Sequence, residues 1–101
     1  MQLGELIEFL EARDPKQEVA HGFGKPHSYR GYYEDLSFAP VAGTTVGNML
    51  KEAKAALGNT YTGWKGGRFK MDEYTTCWLA EMGTTGEGIG PMLLKLMLGE
   101  T

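Results

Sequence analysis

Glycine punctuates this chain so densely that only short elements fit between its breaks. It supplies 15 of 101 residues, and four prolines add further interruptions. Inside a helix or strand Gly costs more backbone entropy than any other residue, so it collects in turns. With so few prolines the composition reads as loop-rich rather than collagen-like. The hydrophobic fraction of 42% and charged fraction of 23% are ordinary for a globular domain, which argues against wholesale disorder. The length suits a single domain, residues 1–101, with one small core. No apolar run approaches the roughly 20 residues that a membrane span needs, so no membrane partner is expected. The opening MQLGELIEFLEARD carries acids where a signal peptide carries Lys or Arg, which points to a cytoplasmic protein. One cysteine, Cys77, leaves no internal disulfide and no zinc site built on several thiolates.

Between the breaks, periodicity names the elements. Leu3, Leu6, Ile7 and Leu10 form an i, i+3, i+4, i+7 stripe, predicting a helix over 3–13 that stops before Pro15. Residues 17–23 suit a short strand, GFGKPHSYRG a loop, and residues 32–38 a strand ending before Pro40. Val46, Met49, Leu50, Ala53 and Leu57 share one face of a second helix over 45–57. Thr44 or Thr45 can cap it, and Gly58 can end it in the left-handed conformation. Residues 61–71 suggest a hairpin about Gly66-Gly67, with Trp64 opposite Phe69 and Lys65 opposite Arg68. Residues 75–82 alternate like a strand, and a second Gly-rich loop follows. The tail MLLKLML is almost continuously apolar, and its pattern suits a helix or a strand; strand is preferred, because a sheet of four short strands would be small.

The fold class expected is α+β: two helices packed on a mainly antiparallel four- to five-stranded sheet. Core candidates are Leu3, Ile7, Leu10, Val19, Leu36, Phe38, Met49, Leu50, Leu57, Trp78 and the tail. So apolar a tail on so short a chain favours a homodimer or higher homo-oligomer.

The net charge of −3 makes a long nucleic acid a poor partner. The cations are nevertheless clustered. Residues 19–33 contain Lys25, Arg30, His21 and His27 without an acid, and residues 53–71 contain Lys54, Lys65, Arg68 and Lys70 without an acid. These islands are either chance surface clusters or the walls of a pocket for a small anion.

No catalytic constellation emerges. Gly22-x-Gly24 is followed by Lys-Pro-His where a dinucleotide-binding helix should start, and Gly86-x-Gly88-x-Gly90 runs into Pro91, so neither is a phosphate-binding loop. His21 and His27 lack a third metal ligand by spacing, so no metal and no cofactor are expected. The pairs Glu34-Asp35 and Asp72-Glu73 read as solvated surface, and Cys77 as a buried thiol, with a Cys77–His27 dyad left open. The chain is therefore expected not to be an enzyme. Its densest unusual segment is His27-Ser28-Tyr29-Arg30-Gly31-Tyr32-Tyr33. Arg offers bidentate bonds to phosphate, Ser adds a donor, and Tyr a face for stacking a base. Trp64, Lys65, Arg68 and Phe69 repeat that combination of flat aromatics beside cations. The alternative is a pair of aromatic loops packed on the domain edge, or hot spots for a protein partner.

The run H-S-Y-R-G-Y-Y at 27–33, followed by Y-T-G-W-K-G-G-R-F at 61–69 and W-L-A-E-M-G-x-x-G at 78–86, resembles the Thoeris anti-defence family of phage-encoded cyclic ADP-ribose sponges. The resemblance spans most of the chain and rests on the order of the motifs. It implies a cytoplasmic viral protein of the infected bacterium that sequesters a cyclic ADP-ribose isomer without cleaving it. It also implies a homo-oligomer built from dimers. On the matching motifs Arg30 and Arg68 would hold phosphate, with Lys65 beside them. Tyr32 and Trp64 would stack on adenine, with Tyr33 adjoining, and His27 and Ser28 would bond phosphate or ribose. The chain is short for the family, so a further site for cyclic oligonucleotides is not carried over.

Overall fold

A computed structural model describes residues 1–29, 35–62, 67–81 and 84–100. The architecture is α+β, with three helices, a mixed four-stranded sheet and a separate two-stranded ribbon. In chain order the elements are α1 (Leu3–Glu11), β1 (Glu18–Ser28), β2 (Leu36–Thr45), α2 (Val46–Ala56), β3 (Thr60–Thr62), β4 (Arg68–Lys70), β5 (Cys77–Leu79), β6 (Glu87–Gly88) and α3 (Pro91–Met97).

The sheet runs β1-β2-β5-β6. β1 and β2 form a long antiparallel pair, from Glu18↔Thr45 to Ser28↔Leu36, with a register shift between Gly24 and Pro26. β5 joins β2 in parallel, through Leu36↔Cys77, Ser37↔Trp78 and Phe38↔Leu79. β6 returns antiparallel to β5. The stretch GFGKPHS is thus strand, not the loop its Gly and Pro content suggests. Tertiary contact explains one glycine: a Cβ on Gly22 would stand 2.5 Å from Thr44 Cγ2 and 2.9 Å from Met49 Sδ. Pro26 follows the register shift on an edge strand, where a missing N–H is tolerated. Strand β2 also continues through Pro40 instead of stopping before it. Pro40 lies beyond Phe38↔Leu79, the last pair with β5, so no ladder on that side needs its N–H.

Both predicted amphipathic helices form on their predicted faces. Leu3, Leu6 and Leu10 are fully buried along α1, and Met49 and Ala53 along α2. Thr45 is the α2 cap, its Oγ1 accepting from Asn48 N at 3.1 Å. Gly58 follows the helix at φ 81°, a conformation that a Cβ would strain. Leu57, predicted to be core, is 45% exposed just past the helix end. The core also takes Val46 from the start of α2, and Phe23, Met71, Cys77 and Ile89 from the sheet and its connections.

The ribbon differs in register from the sequence expectation. Tyr61, not Trp64, faces Phe69, and Thr62, not Lys65, faces Arg68. Trp64 and Lys65 themselves lie outside the described residues. Tyr61 and Phe69 pack against the core, and this apolar anchoring sets which residues meet.

The tail is a helix, contrary to the strand expected. Gly90 precedes it and Pro91 opens it, a position where the missing N–H costs nothing. Gln17 Nε2 donates to Leu98 O at 2.8 Å. Arg13 grips Glu100 with two bonds of 3.0 and 2.9 Å, while its guanidinium lies 3.5 Å above the Phe9 ring. That grip holds the Glu100 carboxyl below the ordinary carboxylate range. Only part of the tail is covered: Leu94 is fully buried, whereas Leu96 is 64% and Met92 79% exposed.

This rotational setting of α3 has a direct test. Leu94→Ala should lower stability by about 2–5 kcal/mol, and Leu96→Ala should stay within about 0.5 kcal/mol. Urea denaturation of both variants reads the difference; equal losses would contradict the helix phase.

Candidate functional site

Strand alternation sorts the densest predicted site segment into two groups. His27, Ser37 and Trp78 lie in one lateral row across β1, β2 and β5, and Ser28, Leu36 and Cys77 in the next. Residues opposite one another share a face, and successive rows alternate. Leu36 and Cys77 belong to the hydrophobic core. His27, Ser37 and Trp78 therefore occupy the other face, and Ser28 (4% exposed) points with the core row. Neighbours in sequence, His27 and Ser28 are not brought together.

The second face carries a polar and aromatic cluster. Tyr29, two residues beyond His27, stacks on Trp78 with ring centroids 4.4 Å apart and planes 6° from parallel. Tyr29 N donates to Asp35 O at 2.8 Å, which extends the β1–β2 pairing past the last strand residues. Asp35 Oδ2 accepts from Trp78 Nε1 at 3.1 Å. Asp35 is thus a holder of the indole, not the solvated acid its neighbourhood in sequence suggests. Trp78, expected in the core, belongs to this face. Ser37 is fully buried beneath it, and its Oγ donates to Ala80 O at 3.1 Å. Gly86 N donates to Tyr29 Oη at 3.4 Å, tying the last Gly-rich loop to the same cluster.

Asp35 also opens onto a polar cleft of about 260 Å³, which it lines with Lys70, Asp72, Tyr74, Thr75 and Thr76. Asp72 is engaged within its own turn, accepting from Tyr74 N at 2.8 Å. Lys70 belongs to the second basic island and Asp35 lies just past the first, so the cleft sets a cation of one segment near an acid that follows the other. Arg68 sits on β4 two residues from Lys70 and is exposed. Arg30, Tyr32 and Tyr33, like Trp64 and Lys65, lie outside the described residues. Sequence reasoning missed Tyr29, Asp35, Lys70 and Trp78 as a group. Their only local signal was the aromatic density of 29–33.

The Cys77–His27 dyad is excluded by alternation, since the two side chains leave opposite faces of the sheet. Burial also pushes the Cys77 thiol up to about 12. Among the described residues no group of three or more His, Cys, Asp or Glu is placed to hold a metal ion. No helix among them is long and apolar enough to cross a membrane.

No protein-family model, curated protein or solved structure matches the chain.

Cys77 supplies the test of this arrangement. A thiol this buried and this far from ionised should resist alkylation by iodoacetamide at pH 8 in the native protein and react fully in denaturant. Rapid native labelling, followed by mass spectrometry, would contradict the placement of Cys77 in the core row.

Proposed function

We propose that this protein binds and sequesters a cyclic nucleotide signal, of the cyclic ADP-ribose isomer class, without cleaving it, as a phage counter-defence protein. The observation that supports the reading is a cation and an aromatic stack brought beside one polar cleft. Asp35 and Lys70 line one cleft, and the Tyr29–Trp78 stack adjoins it through the Asp35–Trp78 bond. A nucleotide needs cations for phosphate, a flat apolar surface for its base and polar groups for its ribose. Arg30, Arg68 and Lys65 supply the first from the motifs of the resemblance, and Tyr32, Tyr33 and Trp64 the second. A sponge needs tight enclosure and no reactive group, and the one cysteine is un-ionised and buried.

A thermal-shift panel of cyclic ADP-ribose isomers and cyclic di- and trinucleotides tests the proposal. Ligand at 100 times its dissociation constant adds about 2.7 kcal/mol, which moves the melting point by on the order of 10 °C in so small a domain. One compound should produce this shift and be recovered intact by mass spectrometry. Arg30→Ala and Trp64→Ala should melt like the native protein and lose the shift. Recovery of an altered compound would make the protein an enzyme, and a flat panel on folded protein would reject nucleotide binding.

The exposed side of α3 supports the homo-oligomer that completes this reading. Met92 and Leu96 are one helical turn apart, with Lys95 and Glu100 beside them. Two copies of α3 packed antiparallel about a twofold axis bury these apolar side chains against each other. Light scattering should give a dimer that Leu96→Glu converts to a folded monomer. A native protein monomeric at all concentrations would instead leave this face to a different protein, the inhibitor alternative.

A further inference from the structure

The second sheet face contains a polar atom that the fold orients and then leaves unpaired. His27 is 5% exposed, and its Nδ1 lies 3.0 Å from Lys25 O. A carbonyl only accepts, so Nδ1 carries the hydrogen. In the neutral ring Nε2 is then a bare lone pair. That atom is shielded from solvent and has no hydrogen-bond partner, alone among the buried side-chain N and O atoms of the described residues.

The backbone that imposes this arrangement is itself strained. Lys25 adopts φ 49° at the register shift in β1, the sole non-Gly residue with positive φ among those described. The conformation is unfavourable in a residue with a Cβ. The carbonyl of this strained residue is the one that His27 Nδ1 meets. An unpaired buried acceptor adds a further cost. Nearby polar groups of the same face are satisfied: Ser37 by Ala80 O, and Trp78 Nε1 by Asp35. Strain at Lys25 and an unmet acceptor at His27 therefore lie two residues apart in β1, the acceptor on the face of the Tyr29–Trp78 stack.

The geometry points to His27 Nε2 as an acceptor for a hydrogen-bond donor of the bound ligand, a ribose hydroxyl or a base amino group. This inference rests on the nucleotide-binding reading and narrows it. Of the two partners the sequence left open for His27, phosphate and ribose, the neutral ring fits ribose, because an anionic oxygen and a bare lone pair both only accept. Nε2 is covered in the free protein, so binding has to move the groups over it; a donor that then reaches the atom meets it away from water, where a hydrogen bond is strongest.

Nitrogen-15 NMR of the imidazole in the free protein at pH 7.5 reads the first half directly. Expected is a protonated Nδ1 and a bare Nε2; the opposite tautomer or an imidazolium overturns the inference. Titration with cyclic ADP-ribose isomers, and with whichever panel compound shifts the melting point, reads the second half. The Nε2 resonance should move toward its hydrogen-bonded position, and His27→Leu should weaken binding roughly ten- to hundredfold while remaining folded. Should His27→Leu fail to fold, His27→Gln, which keeps an acceptor near the Nε2 position, should retain most of the affinity. The deoxyribose analogue and the N6,N6-dimethylated analogue assign the donor: the one lacking it should bind native protein and variant equally. Native binding with an unmoved Nε2 resonance, or undiminished affinity in His27→Leu, overturns this inference and leaves nucleotide binding standing. Silence of the native protein toward every compound overturns both.

Discussion

The register that sets His27 opposite Ser37 and Ser28 opposite Leu36 governs both faces of the sheet. Side chains alternate along each strand, so a slip of one residue would send His27 and Tyr29 into the hydrophobic core and expel Ser28 and Leu36. β5 inherits the same phase from β2, placing Cys77 with the core row and Trp78 above the other face. The bulge at Lys25 keeps the two halves of β1 in step with their neighbours. Phe23 still reaches Phe38, with ring centroids 4.6 Å apart, while His27 keeps its side of the sheet.

Around that pairing the rest of the chain acts as a frame. The start of α1 is stitched to the segment before β5 by Leu3 N to Thr75 O at 2.8 Å and Gly4 N to Glu73 O at 2.9 Å. α2 covers β1, and α3 closes one end through Gln17 and Arg13. The energetic weight lies in the apolar core, since the Arg13–Glu100 and Lys54–Glu11 ion pairs are partly or largely exposed and screened by water. The polar face is built differently: ring stacking, one charged hydrogen bond to an indole and one unmet acceptor.

What could be read from the sequence follows from how local each signal is. The stripes of α1 and α2 were legible because residues three and four apart meet on one helix face regardless of what lies beyond it. The cap at Thr45 and the stop at Gly58 were legible for the same reason. GFGKPHS was not, because Gly22 answers to Thr44 and Met49, not to its neighbours in sequence. Nor was the ribbon register, which depends on Tyr61 and Phe69 finding the core. The tail was ambiguous by nature: an unbroken apolar run suits a buried strand or a helix, and the docking of Leu94 and Leu98 decides between them.

The sequence by itself determined the α+β class, the two amphipathic helices, the buried cysteine and the aromatic and cationic content of the two candidate segments. These depend on periodicity and composition, which act over a few residues. Only the tertiary structure decided that Ser28 leaves the group formed by its neighbours and that Asp35 joins Trp78. It alone brought Lys70 into the same cleft as Asp35, and left His27 Nε2 without a partner. Each of these depends on which strand lies beside which, and in what register, and pairings across tens of residues leave no local imprint on the chain.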